Sequence, residues 1–204
     1  RFNEKVQDIV TTYQNDLDTE AVVCVDEKPM VANEQKYEMK MPAPGKAGKE
    51  EYEYIRHGTQ TLIAGFDVKK GEVYAHCQDT RKGEDLTRFM EGIAVKYNGF
   101  DKIHIVWDNL NTHHEGKEDK WSKFNERHGN KFVFHYTPLH ASWVNQVEIF
   151  FSILHRRILK HGSYKSKEDL RNRVLAFIAK WNKDEKHPFK WMFKGFSDKS
   201  KEGK

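Results

Sequence analysis

The sequence predicts an α/β fold, a mixed five-stranded sheet with helices on both faces. Three observations carry this. Five short runs rich in β-branched and aromatic residues punctuate the 204 residues; the first three follow one another with no helical pattern between them; the later ones alternate with stretches whose apolar residues recur at helical spacing.

The first element is nonetheless a helix. Phe2, Val6, Ile9, Val10 and Tyr13 share one amphipathic face, so residues 1–20 are expected to form a linker helix ending near Asn15-Asp16. The first strand is read over 21–27, Ala-Val-Val-Cys-Val-Asp26-Glu27. Lys28 to Glu51 mixes charges with Pro29, Pro42, Pro44, Gly45 and Gly48, so residues 28–57 read as an extended excursion or flexible hairpin outside the core. Thr59–Asp67 and Glu72–Gln78 flank Val68-Lys-Lys-Gly71, a hairpin turn, and with the first strand should make an antiparallel unit.

Asp85, Leu86, Phe89, Met90, Ile93, Ala94 and Tyr97 define a helix, expected to close on a left-handed Asn98-Gly99 cap. Ile103–Trp107 is the fourth strand and delivers Asp108-Asn109. Glu118–Arg127 reads as a helix anchored by Trp121 and Phe124 and stopped by His128-Gly129-Asn130. Lys131–Tyr136 is the fifth strand. A loop from Thr137 to Ser142, whose last residue suits an N-cap, leads into a helix ending near Gly162. The final helix covers Lys167–Trp181, and a tail over 197–204 is expected to be disordered. Three strands, then strands alternating with helices, make a ribonuclease H-like layout in one domain, residues 21–196.

No apolar run approaches the ~18 residues needed to cross a bilayer, so no membrane partner is expected. Cys24 and Cys77 lie in strand-like runs without CxxC spacing, which reads as two reduced, buried thiols in a cytosolic or nuclear protein; a secreted disulfide is the alternative. The net charge of +4 is unevenly spread: residues 155–204 hold 15 Lys/Arg against 6 Asp/Glu. That basic third, with Trp181, Phe189, Trp191 and Phe193, could track a phosphate backbone, or its lysines could simply keep a surface soluble. The acidic remainder is where metal-binding carboxylates can gather.

Two strands finish in carboxylates, Asp26 and Asp108, and Glu148 sits on a later helix. Asn145, Glu148, Ser152 and His155 share a polar stripe of that helix, while Val147, Phe150, Leu154 and Ile158 share an apolar one. Metal-assisted phosphodiester cleavage needs such hard oxygen donors, drawn from different elements, around two ions ~3.5–4 Å apart. Singly, each acid has an ordinary reading: Asp26 opening a turn, Asp108 capping a helix, Glu148 solvated. Jointly they fall where a ribonuclease H-like sheet converges.

Val-Cys-Val-Asp26-Glu27-Lys-Pro, Tyr54-Ile-Arg-His-Gly-Thr59, Ile-Val-Trp-Asp108-Asn109 with His113 following, and above all Ser142-Trp-Val-Asn-Gln-Val-Glu148 resemble the DDE catalytic domain of bacterial insertion-sequence transposases of the mariner-like superfamily. Trp181-Asn182 followed by His187-Pro-Phe-Lys-Trp191 is similar to that family's C-terminal ending. Thirty-nine residues, 109 to 147, separate Asp108 from Glu148, somewhat more than is usual there, with the surplus placed in residues 115–130.

The resemblance implies that Asp26, Asp108 and Glu148 are catalytic metal ligands for two Mg²⁺, with Mn²⁺ as substitute. It implies cleavage of transposon ends, then attack of the freed 3′-hydroxyl on target DNA, by a dimer assembled on DNA in the bacterial cytoplasm, associated with the nucleoid. The family's N-terminal helix-turn-helix modules do not precede Arg1, as expected of a domain cut from a longer protein. Alternatives are a ribonuclease H-like nuclease without strand transfer and a domesticated, non-catalytic DNA-binding domain. Glu27, Asn109 and Asn145 are candidate supporting groups around the acids, though Glu27 also reads as a solvated strand end and Asn109 as a turn cap. Arg56, His57, Trp143, Arg156, Arg157 and Lys160 are candidate DNA contacts; Trp143 reads equally as core and the basic residues equally as solvated. His113 and His114 lack zinc-type partners at useful spacing.

Overall fold

The run around Val23 is apolar on both of its faces, and in the computed structural model it is the centre of the sheet. The structure describes residues 2–36, 44–45, 53–79, 83–108 and 119–193. Helix α1 (Phe2–Tyr13) precedes strands β1 (Glu20–Gln35), β2 (Tyr54–Asp67) and β3 (Val73–Gln78). Helix α2 (Gly83–Lys96), strand β4 (Lys102–Trp107), helix α3 (Lys120–Arg127) and strand β5 (Phe132–Tyr136) follow. After a 3₁₀ turn at Ser142–Val144 come α4 (Val147–Leu154), which runs into a π turn, and α5 (Lys167–Lys180), which does the same at Trp181–Glu185.

The sheet order is β3-β2-β1-β4-β5, with β1–β2 and β2–β3 antiparallel and β1–β4 and β4–β5 parallel. This is the mixed five-stranded, ribonuclease H-like layout expected from the element order. Residues of β1 alternate between two cores. Val22 and Cys24, with Val106 of β4, pack beneath α1, α4 and α5; Ala21, Val23 and Val25, with Ile105 and Trp107, pack beneath α2 and α3. Cys24 and Cys77 are both buried free thiols, and burial pushes Cys24 up to about 12 and Cys77 up to about 11.

Four local expectations are corrected. The first strand does not stop at Glu27: it continues to Gln35, because Met30 and Ala32 still land in the core and β2 lies opposite as far as Tyr54. The excursion is therefore two long strand arms, and its residues 37–43 and 46–52 lie outside the described ones. Asn98-Gly99 forms no left-handed cap; among the described residues positive φ is confined elsewhere, including Gly129 and Asn130, the expected stop after α3. Ser142 does not cap α4, which starts five residues later and has no side-chain cap. Fourth, and with most bearing on nucleic acid, the C-terminal aromatics are spent on packing. Phe189 stacks on Phe66 at 4.5 Å, Trp191 meets Tyr13 edge-on at 5.2 Å, and Trp181 lies in the core with its Nε1 donating to Gly71 O at 2.8 Å. Gly71 itself has φ +67, and a Cβ there would collide with the His187 backbone. The expected tail over 197–204 lies outside the described residues.

A line of hydrogen bonds ties α1 across the lower sheet. His135 Nδ1 lies 2.6 Å from Asp8 Oδ2, His104 Nδ1 lies 2.9 Å from His135 Nε2, and His104 Nε2 lies 3.0 Å from Glu20 Oε2. Between the two rings only one of His104 Nδ1 and His135 Nε2 can carry the proton. A further proton on His104 would set two N–H groups against each other. Burial holds the His104 pKa below its ordinary value, outweighing the pull of Glu20. Burial alone would raise the Glu20 carboxyl, but hydrogen bonds from His104 and Asn15 hold it below its ordinary value.

Two outcomes follow from this packing. Trp181→Ala removes a buried indole and orphans Gly71 O, and should cost about 3–5 kcal/mol, read as a lower denaturant midpoint at unchanged slope. Acidification should lower the melting temperature: the unfolded chain takes up protons below the ordinary histidine value of 6.5 that folded His104 refuses, and Glu20 extends the loss below 4.5. In His104→Gln the fall between about pH 7 and about pH 5 should flatten.

Candidate active site

The site begins where two parallel strands part. The last parallel pair between β1 and β4 is Cys24 with Val106. Two residues further along each chain come Asp26 and Asp108, by alternation on the face of Cys24 and Val106, beneath α4. Asp26 is buried, and its Oδ1 accepts the Glu27 N–H at 2.7 Å. Asp108 is half-buried.

Beyond this fork the β4-facing backbone groups of β1 need other partners. Val22 O bonds Val68 N on the β2 side, so alternation turns the polar groups of Val23, Val25, Glu27 and Pro29 toward β4. Asn145 supplies the first replacement: its Nδ2 donates to Val25 O at 3.1 Å, with the side chain almost wholly buried. Its Oδ1 accepts the Val147 N–H at 3.4 Å, and its backbone carbonyl accepts the Glu148 N–H at 3.1 Å. The first turn of α4 is thereby fastened to β1 one residue from Asp26. Tyr13 secures the same segment from below, its hydroxyl donating to Val144 O at 2.7 Å and lying 3.0 Å from Cys24 Sγ. Burial, then the neighbouring Cys24, raises the Tyr13 pKa well above its ordinary value, so it stays a neutral donor.

Glu148 is half-buried and lines a cleft of about 410 Å³ with Lys28, Phe151, Ser152, His155 and Arg156. Lys28 was not anticipated. It lies two residues after Asp26 on the same face, and its Nζ sits 5.6 Å from the Phe151 ring centre; the signal was the strand alternation continuing through Pro29. The expected polar stripe is present for Glu148, Ser152 and His155, whereas Asn145 precedes the helix and is buried beneath it.

The remaining candidates divide. Arg156 opens onto the cleft and Lys160 is exposed on the next turn. Arg157 points elsewhere, held by Glu185 and lying 5.0 Å over the Phe177 ring. His57 bonds Glu34 at 2.7 Å on the β1–β2 arms, where Arg56 is also exposed, well along the strand from Asp26. Trp143 is half-exposed, with one ring face toward Trp191 at 6.3 Å and Phe193 edge-on at 5.4 Å. Glu27 is half-buried on the opposite face of β1 from Asp26. Asn109, His113 and His114 lie outside the described residues.

Among the described residues no three His, Cys, Asp or Glu side chains are drawn together tightly enough to hold a metal ion. The donor chemistry nonetheless suits a hard divalent cation: a carboxylate just beyond the last parallel pair on each of two adjacent strands, and a third on the helix fastened beside them. No described helix is long and apolar enough to cross a membrane.

Known proteins share this fold. The family described as DDE superfamily endonuclease matches residues 21–171. Curated proteins give no match. Among solved structures, the Mos1 transposase paired-end complex with left transposon end aligns with a TM-score of 0.61 at 12% identity, covering 87% of this chain and 53% of that one. A pre-cleavage Mos1 transpososome gives 0.59 at 15% identity, covering 88% and 55%, and the mariner Mos1 paired end complex with Mg gives 0.57 at 15%, covering 88% and 54%. The chain spans about half the length of the chains it matches, and at these identities the likeness is one of fold. With the family's pattern running from the first strand into the last helix, the chain belongs to the DDE superfamily endonucleases.

Proposed function

We propose that this domain is the catalytic part of a DNA transposase, which cuts transposon ends and joins the freed 3′-hydroxyl to target DNA. The reading rests chiefly on Asp26 and Asp108 following the last parallel pair of two adjacent strands, on the face where Asn145 fastens the helix of Glu148. Family membership and the fold shared with Mos1 transposase complexes support it. The partners proposed are DNA and, on DNA, a second copy of the chain, in the bacterial cytoplasm.

Asp26, Asp108 and Glu148 would hold two Mg²⁺, or Mn²⁺ in their place; that Mos1 paired end complexes are solved with Mg and with Mn supports a divalent metal. Bound there, such ions lower the pKa of water and stabilise developing charge on phosphoryl oxygens. The protein's own contribution is positional. The Glu27 N–H fixes the orientation of Asp26, so little reorganisation is needed when a nucleic-acid phosphate arrives. Asn145 sets the distance of α4 from β1 and with it the reach of Glu148. Lys28 and Arg156, on the cleft that Glu148 lines, offer cations to a phosphodiester on either side of the carboxylate.

Asp26→Asn, Asp108→Asn and Glu148→Gln should each reduce Mg²⁺-dependent cutting of end-containing DNA, and joining of pre-cleaved ends, to background while the melting temperature holds. Undiminished cutting by Asp108→Asn would overturn the assignment. Asn145→Ala should slow cleavage by about 10–100-fold and raise the Mn²⁺ concentration needed for half-maximal rate, as expected of a residue that orients a ligand without being one.

A further inference from the structure

The margin of the sheet farthest from β5 carries a second feature. Among the described residues no strand pairs with β3 on its outer side. Asp67 N bonds Glu72 O across the β2–β3 turn, so alternation directs the backbone N–H and C=O of Val73, Ala75 and Cys77 away from β2. Val73 is already satisfied, and by an instructive partner. Asn182 Oδ1 accepts the Val73 N–H at 2.8 Å and Asn182 Nδ2 donates to Val73 O at 2.7 Å. A side-chain amide thus takes the two bonds that a residue of a neighbouring strand would take. The next two outward positions, Ala75 and Cys77, open onto a groove of about 380 Å³, walled by Arg88 of α2 on one side and by Arg171 and Leu175 of α5 on the other.

Gln60 lines the same groove. It is only 5% exposed; its Nε2 donates to Asp79 Oδ1 at 2.8 Å, and its Oε1 has no hydrogen-bond partner among the described residues. A buried, unsatisfied acceptor calls for a donor. Phosphodiester oxygens only accept, so a nucleic-acid backbone could meet the arginines but leaves Gln60 Oε1 and the outward carbonyls of Ala75 and Cys77 unsatisfied. An extended peptide brings both N–H and C=O groups at strand spacing. The charge on the groove specifies its side chains: Asp79 is paired with Lys167, while Arg88 and Arg171 stand on opposite walls, each able to meet a carboxylate on one face of an added strand.

We propose that the outer edge of β3 docks an extended, acidic segment of a partner protein, which continues the ladder that Asn182 begins and places carboxylates against Arg88 and Arg171. The proposal is independent of the chemistry at Asp26 and Asp108. The test measures fluorescence anisotropy of a labelled peptide of about twelve residues repeating Val-Val-Glu-Glu, which puts carboxylates on both faces of a strand, titrated with the chain. Saturable binding is expected, weakened about tenfold or more by Arg88→Glu, by Arg171→Glu, and by Ala75→Pro, which deletes an outward N–H. The same peptide N-methylated at every residue, so that neither strand edge keeps a donor, and one repeating Val-Val-Lys-Lys, should not bind. The N-methylated peptide tests the ladder without altering the protein, should Ala75→Pro not fold. Absence of binding by the Val/Glu peptide, equal binding of its N-methylated form, or an oligonucleotide whose binding alone is lost in Arg171→Glu would each overturn the proposal. So would self-association of the unaltered chain, seen by sedimentation, that Ala75→Pro abolishes.

Discussion

The arrangement of the whole domain depends on one hydrogen bond at a fork. Two parallel strands at the centre of a sheet normally satisfy each other's backbone to their ends, and separating them leaves polar groups facing a gap. Here β1 and β4 separate after Cys24 and Val106, and the first exposed carbonyl, that of Val25, is taken by the side chain of Asn145. That contact does two jobs. It makes the separation tolerable in a buried setting, and it determines where the following helix starts. The helix that carries Glu148 begins beside the strand that carries Asp26 because the same amide serves both elements.

Around this fork the two faces of the sheet are built differently. The face beneath α2 and α3 is an apolar and aromatic layer, in which Trp107 stacks on Phe134 at 5.0 Å. The face that bears the acids mixes apolar packing with buried polar links: Tyr13 to Val144, His104 to His135, Trp181 to Gly71. Such links cost desolvation and return geometry, since each has one satisfactory arrangement. They lie on the side where carboxylates must be held apart from one another yet close.

Much of this was legible in the residues. Alternation and helical spacing located all five strands and the five main helices because their apolar faces are continuous. The acids Asp26 and Asp108 were readable because an apolar run that ends in a carboxylate is unusual in a soluble core. What misled was composition taken for conformation. Lys28, Pro29 and the charges beyond them read as loop, yet the backbone stays extended because β2 lies alongside and Met30 and Ala32 have a core to enter. Ser142 read as a cap on chemistry alone, whereas the segment's geometry is dictated by Val25 O, 120 residues away, which no local pattern reveals. The aromatic, basic C-terminus read as a surface for nucleic acid; its rings instead close the core over Phe66, Tyr13 and Gly71, a long-range match that periodicity does not encode.

Pro29 gives the fork a further property. Val25 O is occupied by Asn145, the Glu27 N–H by its neighbour's carboxylate, and at the third β4-facing position proline has no N–H to offer. A stray strand from a half-folded neighbour, drawn to any bare ladder, therefore meets a carbonyl already taken and two successive positions with no N–H to give between β1 and β4. The fork is in this way a poor template for amyloid-like growth.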